Sequence, residues 1–90
     1  MIRDLAIVVD QALEVRRLIE GMRLNGPPIV QEITLFDVYL GRGVEAGKKS
    51  LAFRIVMQDT EKTLLEAEVD AAVQQLVAYL QDAFAAQLRV

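Results

Sequence analysis

Cationic and aromatic residues cluster in the middle of the sequence, around a stretch that contains three glycines. Cationic side chains contact phosphate and exposed aromatic rings stack on unpaired bases, so the combination is typical of a surface that binds single-stranded RNA. The residues predicted to bind RNA are Tyr39, Arg42, Lys48, Lys49 and Arg54. A second interpretation of the cations, a hairpin that only keeps the protein soluble, stays open at this point.

The aromatic residues near this cluster differ in their predicted environment. Phe53 shares its parity with Leu51 and Ile55 in an alternating run, which indicates a place in the hydrophobic core. Tyr39 could either pack against its neighbours or stack on a base at the margin of a sheet. Phe36 is a second candidate for base stacking.

The three glycines do not match a phosphate-binding loop. G-R-G-V-E-A-G, from Gly41 to Gly47, has one residue too many between its second and third glycines for the G-x-G-x-x-G pattern. The stretch also joins two predicted strands, so no helix N-terminus follows to face a phosphate. We therefore expect the glycines to form a sharp hairpin turn.

Two other charged groups are expected to be structural. Glu66, Glu68 and Asp70 look like a carboxylate cluster, but a spacing of two residues turns side chains about 200° apart on a helix. Acidic residues are also favoured in a first helical turn, so no catalytic or metal-binding role is predicted for them. Arg16 and Arg17 are most simply part of a solvated helix face.

The composition excludes several classes of protein. The sequence has no cysteine and no histidine, which removes disulfides, thiolate zinc sites, cysteine nucleophiles and the commonest general base. A self-contained hydrolase or metalloenzyme is therefore not expected. No apolar run reaches the roughly 18 to 20 residues of a membrane span, and no signal peptide is recognised, so we expect a cytoplasmic protein.

Charge is distributed unevenly along a chain whose formal net charge is −3. Residues 42–54 carry four cations and one anion, a balance of +3, whereas residues 59–82 carry six anions and one cation, a balance of −5. One side of the molecule could therefore face phosphate while the other stays acidic. The negative total argues against a protein that coats nucleic acid indiscriminately.

Hydrophobic periodicity predicts four strands and two helices within a single domain of residues 1–90. The predicted strands cover residues 3–10, 29–40, 49–59 and 86–90, and the helices run from about 13 to 25 and from about 63 to 84. The order β-α-β-β-α-β predicts an α+β, ferredoxin-like sandwich, with a four-stranded antiparallel sheet and two helices on one face. The first and third strands are the most apolar and are expected at the centre of the sheet.

Two local patterns add detail to these elements. The apolar residues of the second strand change parity, which a β-bulge near Phe36 and Asp37 would reconcile. Thr63 and Glu66 have the spacing of a capping box, which predicts the start of the second helix there.

A longer pattern runs from Phe36 to Asp59 and reads F-D-V-Y-L-G-R-G-V-E-A-G-K-K-S-L-A-F-R-I-V-M-Q-D. With R-D-L-A-I-V-V-D near the N-terminus, T-L-L-E-A-E-V from Thr63 and the final L-R-V, it resembles the C-terminal ferredoxin-fold anticodon-binding domain of the bacterial phenylalanyl-tRNA synthetase beta chain. The likeness covers essentially all 90 residues in the same order. F-D-x-Y-x-G, K-S-L-A and T-L-x-x-x-E-V form a specific combination.

This resemblance implies an RNA-binding module without catalysis of its own. Such a domain contacts the anticodon stem-loop of phenylalanine tRNA and helps to position it for aminoacylation, docked on an α2β2 synthetase. The resemblance places the chemistry with ATP, magnesium and phenylalanine in the alpha chain, leaves this domain without a cofactor, and makes it one piece of a longer beta chain. One departure is Leu40, where the family usually has a basic residue, so that contact would be absent or moved to Arg42.

Two alternatives come from the fold class alone. A ferredoxin-like domain could serve as a protein-docking or small-ligand regulatory module without touching RNA. Small phosphatases also share this topology, but their basic anion loop would join the first strand to the first helix. That connection here begins with Asp10, Gln11 and Ala12, which does not suit an anion.

Overall fold

A computed structural model describes residues 1–89 of the chain, and within them the β-α-β-β-α-β order is confirmed. The elements are β1 (Ile2–Asp10), α1 (Val15–Asn25), β2 (Val30–Tyr39), β3 (Lys48–Met57), α2 (Glu66–Phe84) and β4 (Gln87–Leu88). The predicted last strand included Val90, which lies outside the described residues. No helix in residues 1–89 is long and apolar enough to cross a membrane.

The four strands form one antiparallel sheet in the order β2-β3-β1-β4. The two most apolar strands, β1 and β3, therefore lie at the centre, as predicted. Their register places Leu5 opposite Phe53 and Ile7 opposite Leu51. Because facing residues share a side of the sheet, the alternating apolar residues of both strands point together toward the helices.

Both helices pack on that side and complete one hydrophobic core. Phe53 is fully buried, which confirms its predicted place in the core. The amphipathic pattern of α1 is also confirmed, since Leu18 and Met22 are buried while Arg16 and Arg17 are exposed. The buried apolar side chains are Leu5, Ile7, Val9, Leu18, Met22, Ile33, Leu51, Phe53, Ile55, Met57, Val69, Ala72, Leu76, Val77, Leu80 and Ala86.

The predicted β-bulge in β2 is present, and it explains the change of parity. Leu35 lies opposite Phe53, and the next paired residue is Asp37, opposite Ala52. Phe36 is therefore an extra residue in the edge strand, and the strand resumes on the other parity. A second irregularity in the ladder lies between Val30 and Glu32. Because of the bulge, Phe36 and Tyr39 both lie on the side of the sheet that faces away from the core.

The start of α2 differs from the prediction. The helix begins at Glu66, with Leu65 at the N-cap position and Thr63 two residues before it. Leu65 has no side-chain oxygen to cap the helix, but its backbone N–H donates to Oε1 of Glu68 at 3.3 Å. Glu68, rather than Glu66, is therefore the acidic residue three positions beyond the cap, and only this half of a capping box is formed.

The last strand is shorter than predicted. Within residues 1–89, only Gln87 and Leu88 form the ladder of β4, opposite Val8 and Ile7 respectively. Before it, Ala85 adopts a left-handed conformation with φ of 55° and ends α2. This sharp change of direction brings the chain back to the sheet.

Candidate nucleic-acid interface

The face of the sheet that turns away from the helices is the candidate interface, and it is called the open face below. Its residues alternate with the core residues of each strand, which follows from the pairing register. The open face contains Ile2, Asp4, Ala6, Val8, Asp10, Glu32, Thr34, Phe36, Asp37, Tyr39, Lys48, Ser50, Ala52, Arg54, Val56, Gln87 and Arg89.

The glycine-rich stretch forms a turn between two strands, as predicted. Residues 40–47, called the hairpin loop, connect β2 to β3. Gly43 and Gly47 have φ of 89° and 84°, a region that favours glycine. Val44 N–H donates to the Gly41 carbonyl at 3.0 Å, which closes a tight turn. Because β3 follows the loop directly, no helix N-terminus faces it.

Two of the predicted cations lie at the hairpin end of the sheet without an ion pair to another residue in the range 1–89. Arg42 is exposed in the loop, and its backbone carbonyl accepts a hydrogen bond from Oη of Tyr39 at 2.9 Å. Lys48 begins β3 on the open face, opposite Asp10 in the register. These two side chains are the cations of the predicted set that remain available to a phosphate.

Lys49 points to the other side of the sheet. Its Nζ donates to the backbone carbonyl of Leu13 at 2.7 Å, in a partly buried position. Nearby, the N–H of Gln11 donates to the carbonyl of Gly47 at 2.9 Å. Together these bonds tie the hairpin to the connection between β1 and α1. The ammonium of Lys49 is thus already engaged by the protein.

Arg54 is also engaged, in this case by a carboxylate. Its Nε lies 3.0 Å from Oδ1 of Asp4, and its Nη2 lies 3.3 Å from Oδ2. The hydrogen bond from Arg54 and the negative charge of Asp4 raise the pKa of the guanidinium above its ordinary value. The same guanidinium carbon is 4.9 Å from the centroid of the Phe36 ring. Arg54 therefore carries a compensated charge and contacts an exposed aromatic ring.

Tyr39 lies beside a cation that sequence reasoning did not include. The guanidinium carbon of Arg89 is 5.1 Å from the centroid of the Tyr39 ring. Nη1 of Arg89 also donates to Oγ of Ser50 at 3.0 Å. Alternation along the last strand could have indicated Arg89, because it has the parity of Gln87, opposite Val8 on the open face. The short final strand made that register hard to recognise.

Phe36 and Tyr39 place two aromatic rings on the open face. Phe36 is 49% exposed and Tyr39 is 38% exposed, so both retain area for a ligand. Each ring has a guanidinium within about 6 Å, the range of a cation–π contact. Such rings stack on bases of any identity, because every base has a π-face.

The other candidate sites of the sequence lie away from this face or have structural partners. Glu68 pairs with Lys62, whose Nζ is 2.9 Å from Oε2, and Glu66 lies 4.0 Å from Arg3. No group of three potential metal ligands is found in the part of the chain that the structure describes. A shallow cleft of about 290 Å³ opens at the far end of the sheet from the hairpin loop, near Met1.

The geometry suits a short single-stranded or looped nucleic acid. Two rings that can stack on bases share this face with the hairpin-end cations, which have no ion pair within residues 1–89, while Asp4, Asp10 and Asp37 on the same face disfavour a continuous run of phosphates. A loop presents splayed bases and few phosphates, and sequence-specific RNA recognition is mostly of this kind.

The chain is similar to known proteins over almost its whole length. The model of the ferredoxin-fold anticodon binding domain matches residues 1–89. The chain is 58% identical over 99% of its length to the phenylalanine–tRNA ligase beta subunit of Dechloromonas aromatica. The corresponding subunits of Aromatoleum aromaticum and Vibrio cholerae are 53% and 44% identical, each over 97% of this chain.

The match has a defined extent in each relative. The chain spans only 11% of the length of these three subunits. The likeness therefore concerns one domain and not a whole ligase subunit. With the family model covering all but the last residue, the chain belongs to the ferredoxin-fold anticodon binding domain family.

Proposed function

We propose that this chain is the tRNA-binding module of a phenylalanyl-tRNA synthetase beta chain and that it contacts the anticodon stem-loop of phenylalanine tRNA. The observation that carries the proposal is the pair of exposed rings, Phe36 and Tyr39, on the open face beside the unpaired cations of the hairpin end. The identity to ligase beta subunits supports the choice of tRNA over other RNAs.

In the proposed contact, cationic residues bind phosphate and aromatic residues bind bases. Arg42 and Lys48 face the phosphates of the loop, which supplies most of the affinity and makes it sensitive to salt. Phe36 and Tyr39 accept unstacked bases, each base contributing about 1–3 kcal/mol. Lys49 is bonded to the carbonyl of Leu13, and Arg54 is paired with Asp4. These two cations therefore stabilise the surface and are not the main phosphate contacts.

In the parent enzyme the domain positions the tRNA and performs no reaction step. We place the catalytic groups, ATP and magnesium in the alpha chain of an α2β2 synthetase that acts in the cytoplasm. The lack of histidine and cysteine in the sequence supports a domain without catalysis and without a cofactor of its own. Binding of the anticodon stem-loop to this domain would help to orient the distant reacting end of the tRNA in the alpha chain.

The test is a titration of the chain with the anticodon stem-loop of phenylalanine tRNA at low salt, followed by fluorescence anisotropy. We expect measurable binding by the wild type and about tenfold or greater loss in the double variant Arg42→Ala/Lys48→Ala, because two phosphate contacts are removed. A matched control, Arg17→Ala/Arg23→Ala, removes the same charge from the exposed side of α1. Equal losses in the two variants would contradict the proposed surface.

Protein docking is the second candidate, and one observation favours it. β2 is an edge strand, and Val38 and Leu40 near its end are 45% and 50% exposed. An apolar strand edge can pair with a strand of another protein. Tight binding to a synthetase that lacks this domain, with no affinity for the stem-loop, would favour docking over RNA binding.

A further inference from the structure

Arg89 crosses the open face from one edge of the sheet toward the other. It follows the edge strand β4, and its backbone N–H donates to the carbonyl of Ala6 on β1 at 2.9 Å. Its guanidinium reaches Oγ of Ser50 on the central strand β3 at 3.0 Å. The same group lies over the ring of Tyr39, on the opposite edge strand β2. The residue that follows β4 thus contacts β1 through its backbone and β3 and β2 through its side chain, across the proposed interface.

The anchor of this side chain is a buried residue on a central strand. Ser50 is only 4% exposed, although it lies on the open face, and it is the one polar residue among the buried side chains of residues 1–89. It lies between Val8 and Tyr39 in the ladders, and its hydroxyl accepts a hydrogen bond from Arg89. A hydrogen bond to a charged donor is among the stronger ones in proteins.

The Tyr39 side chain is contacted by the protein at two places. Its hydroxyl donates to the carbonyl of Arg42, and Arg89 lies against the ring. The ring still keeps 38% of its surface exposed, so a ligand can reach it. A ring that is already oriented loses less conformational entropy when a base stacks on it.

We infer that Arg89 is a positioning residue of the RNA interface, which acts by holding Tyr39, with Ser50 as its anchor, in the orientation that accepts a base. The inference rests on the proposed function and deepens it. The positioning role of Arg89 differs from a phosphate contact, because it depends on the shape of the guanidinium as well as on its charge. A planar fork donates to Ser50 while it lies over a ring, whereas a lysine ammonium does not combine both contacts.

The experiment compares Arg89→Lys, Tyr39→Leu and the double variant in the stem-loop titration. Arg89→Lys keeps the charge, and we expect it to lower affinity about two- to fivefold, the weight of an exposed cation–π contact. In the Tyr39→Leu background the same change is expected to have no further effect, since Arg89 acts through the ring. Non-additivity of this kind is the signature of two residues that work as a unit.

Ser50→Ala is the second variant, and it touches neither the charge nor the ring. We expect it to lower affinity in the same direction as Arg89→Lys while the salt dependence of binding stays that of the wild type. The sequence contains two tyrosines, so NMR signals of the Tyr39 ring are readily distinguished from those of Tyr79. Both variants are expected to shift the Tyr39 signals and to leave those of Tyr79 in place.

The outcomes of these experiments distinguish failure of the Arg89 inference from failure of the proposed function. Equal losses for Arg89→Lys with and without the Tyr39 ring would overturn the inference and leave the tRNA-binding function standing, as would unchanged affinity in both Arg89→Lys and Ser50→Ala. Failure of the wild type to bind the stem-loop would overturn the proposed function and this inference together. Native NMR spectra of every variant ensure that a loss of affinity is not a loss of fold.

Discussion

Lys48 and Lys49 are adjacent in the chain, yet their side chains lie on opposite sides of the sheet. Alternation along β3 places Lys48 on the open face and directs Lys49 to the carbonyl of Leu13. Successive residues of a regular strand point to opposite faces of the sheet. Two neighbouring cations in a basic cluster therefore have different roles, one for a ligand and one for the fold.

This difference leads to a prediction for matched lysine variants. Lys49→Met removes the hydrogen bond to Leu13 but keeps the aliphatic stem, so we expect it to lower the free energy of unfolding by about 1 kcal/mol, the net weight of one hydrogen bond. Lys48→Met removes the same charge and is expected to leave stability unchanged while weakening RNA binding. Urea denaturation measures the first effect, and equal midpoints for both variants would contradict the assignment.

Glu68 makes the stability of the chain depend on pH. The hydrogen bond from Lys62, followed by that from the backbone N–H of Leu65, holds the pKa of Glu68 below its ordinary value. A lowered folded-state pKa means that the ion adds stability above the pKa of the unfolded chain and loses it as pH falls through the folded value. The contribution is thus present at neutral pH and disappears in acid.

Glu68→Gln is the variant that tests this effect. At pH 7 we expect its unfolding midpoint in urea to lie below that of the wild type, with the gap closing as pH drops below the glutamate range. Glu45→Gln, which neutralises an exposed loop carboxylate without an ion pair among residues 1–89, serves as the control. A gap that persists at acid pH would show that Glu68 acts through something other than its charge.

At the scale of elements, the end of α2 carries backbone strain. Ala85 has φ of 55°, and its N–H donates to the carbonyl of Gln81 at 3.1 Å. Glycine adopts this left-handed conformation without the steric cost that a Cβ imposes. We expect Ala85→Gly to raise the free energy of unfolding by about 0.5–1 kcal/mol.

The same substitution two residues earlier in the chain gives the control for that prediction. Ala83 is exposed and helical, so Ala83→Gly is expected to lower the free energy of unfolding by about 1 kcal/mol. Chemical denaturation of the two single variants compares the same substitution in two conformations. If both destabilise the chain, Ala85 is not held in a left-handed conformation in solution.

Most of the elements could be predicted because their signals are local. Period-two alternation identified β3 with Phe53 inside, and the switch of parity in β2 was enough to predict the bulge at Phe36. The start of α2 was misplaced because Thr63 and Glu66 match the capping-box pattern, whereas the residue actually at the N-cap, Leu65, does not. Only the path of the chain into the core, with Val69 buried, decides between them.

The candidate site was less predictable, because contacts between distant residues decide it. Composition identified the cations, but it could not show that Arg54 pairs with Asp4, fifty positions away in sequence. Nor could it bring Arg89 to Tyr39, since that contact depends on a two-residue strand. Which cations remain free is a property of the assembled sheet.

At the scale of the whole molecule, the acidic surface of α2 lies in a different layer from the cations of the hairpin end. The helix α2 exposes acidic residues, including Asp70 and Asp82, whereas the hairpin end of the sheet holds the unpaired Arg42 and Lys48. The molecule is elongated, with extents of 45 × 22 × 19 Å. Since exposed charges more than about 8–10 Å apart are largely screened at physiological salt, the acidic layer does not cancel the basic end.

This separation predicts how salt acts on each variant. Each phosphate contact adds about 0.7 to the slope of log affinity against log salt for single-stranded nucleic acid. We therefore expect Arg42→Ala to reduce the slope for the stem-loop by about 0.7, whereas Arg17→Ala, on the helical layer, leaves it unchanged. Anisotropy titrations at several potassium chloride concentrations measure both slopes. Equal slopes for Arg42→Ala and the wild type would mean that the hairpin loop faces solvent and not RNA.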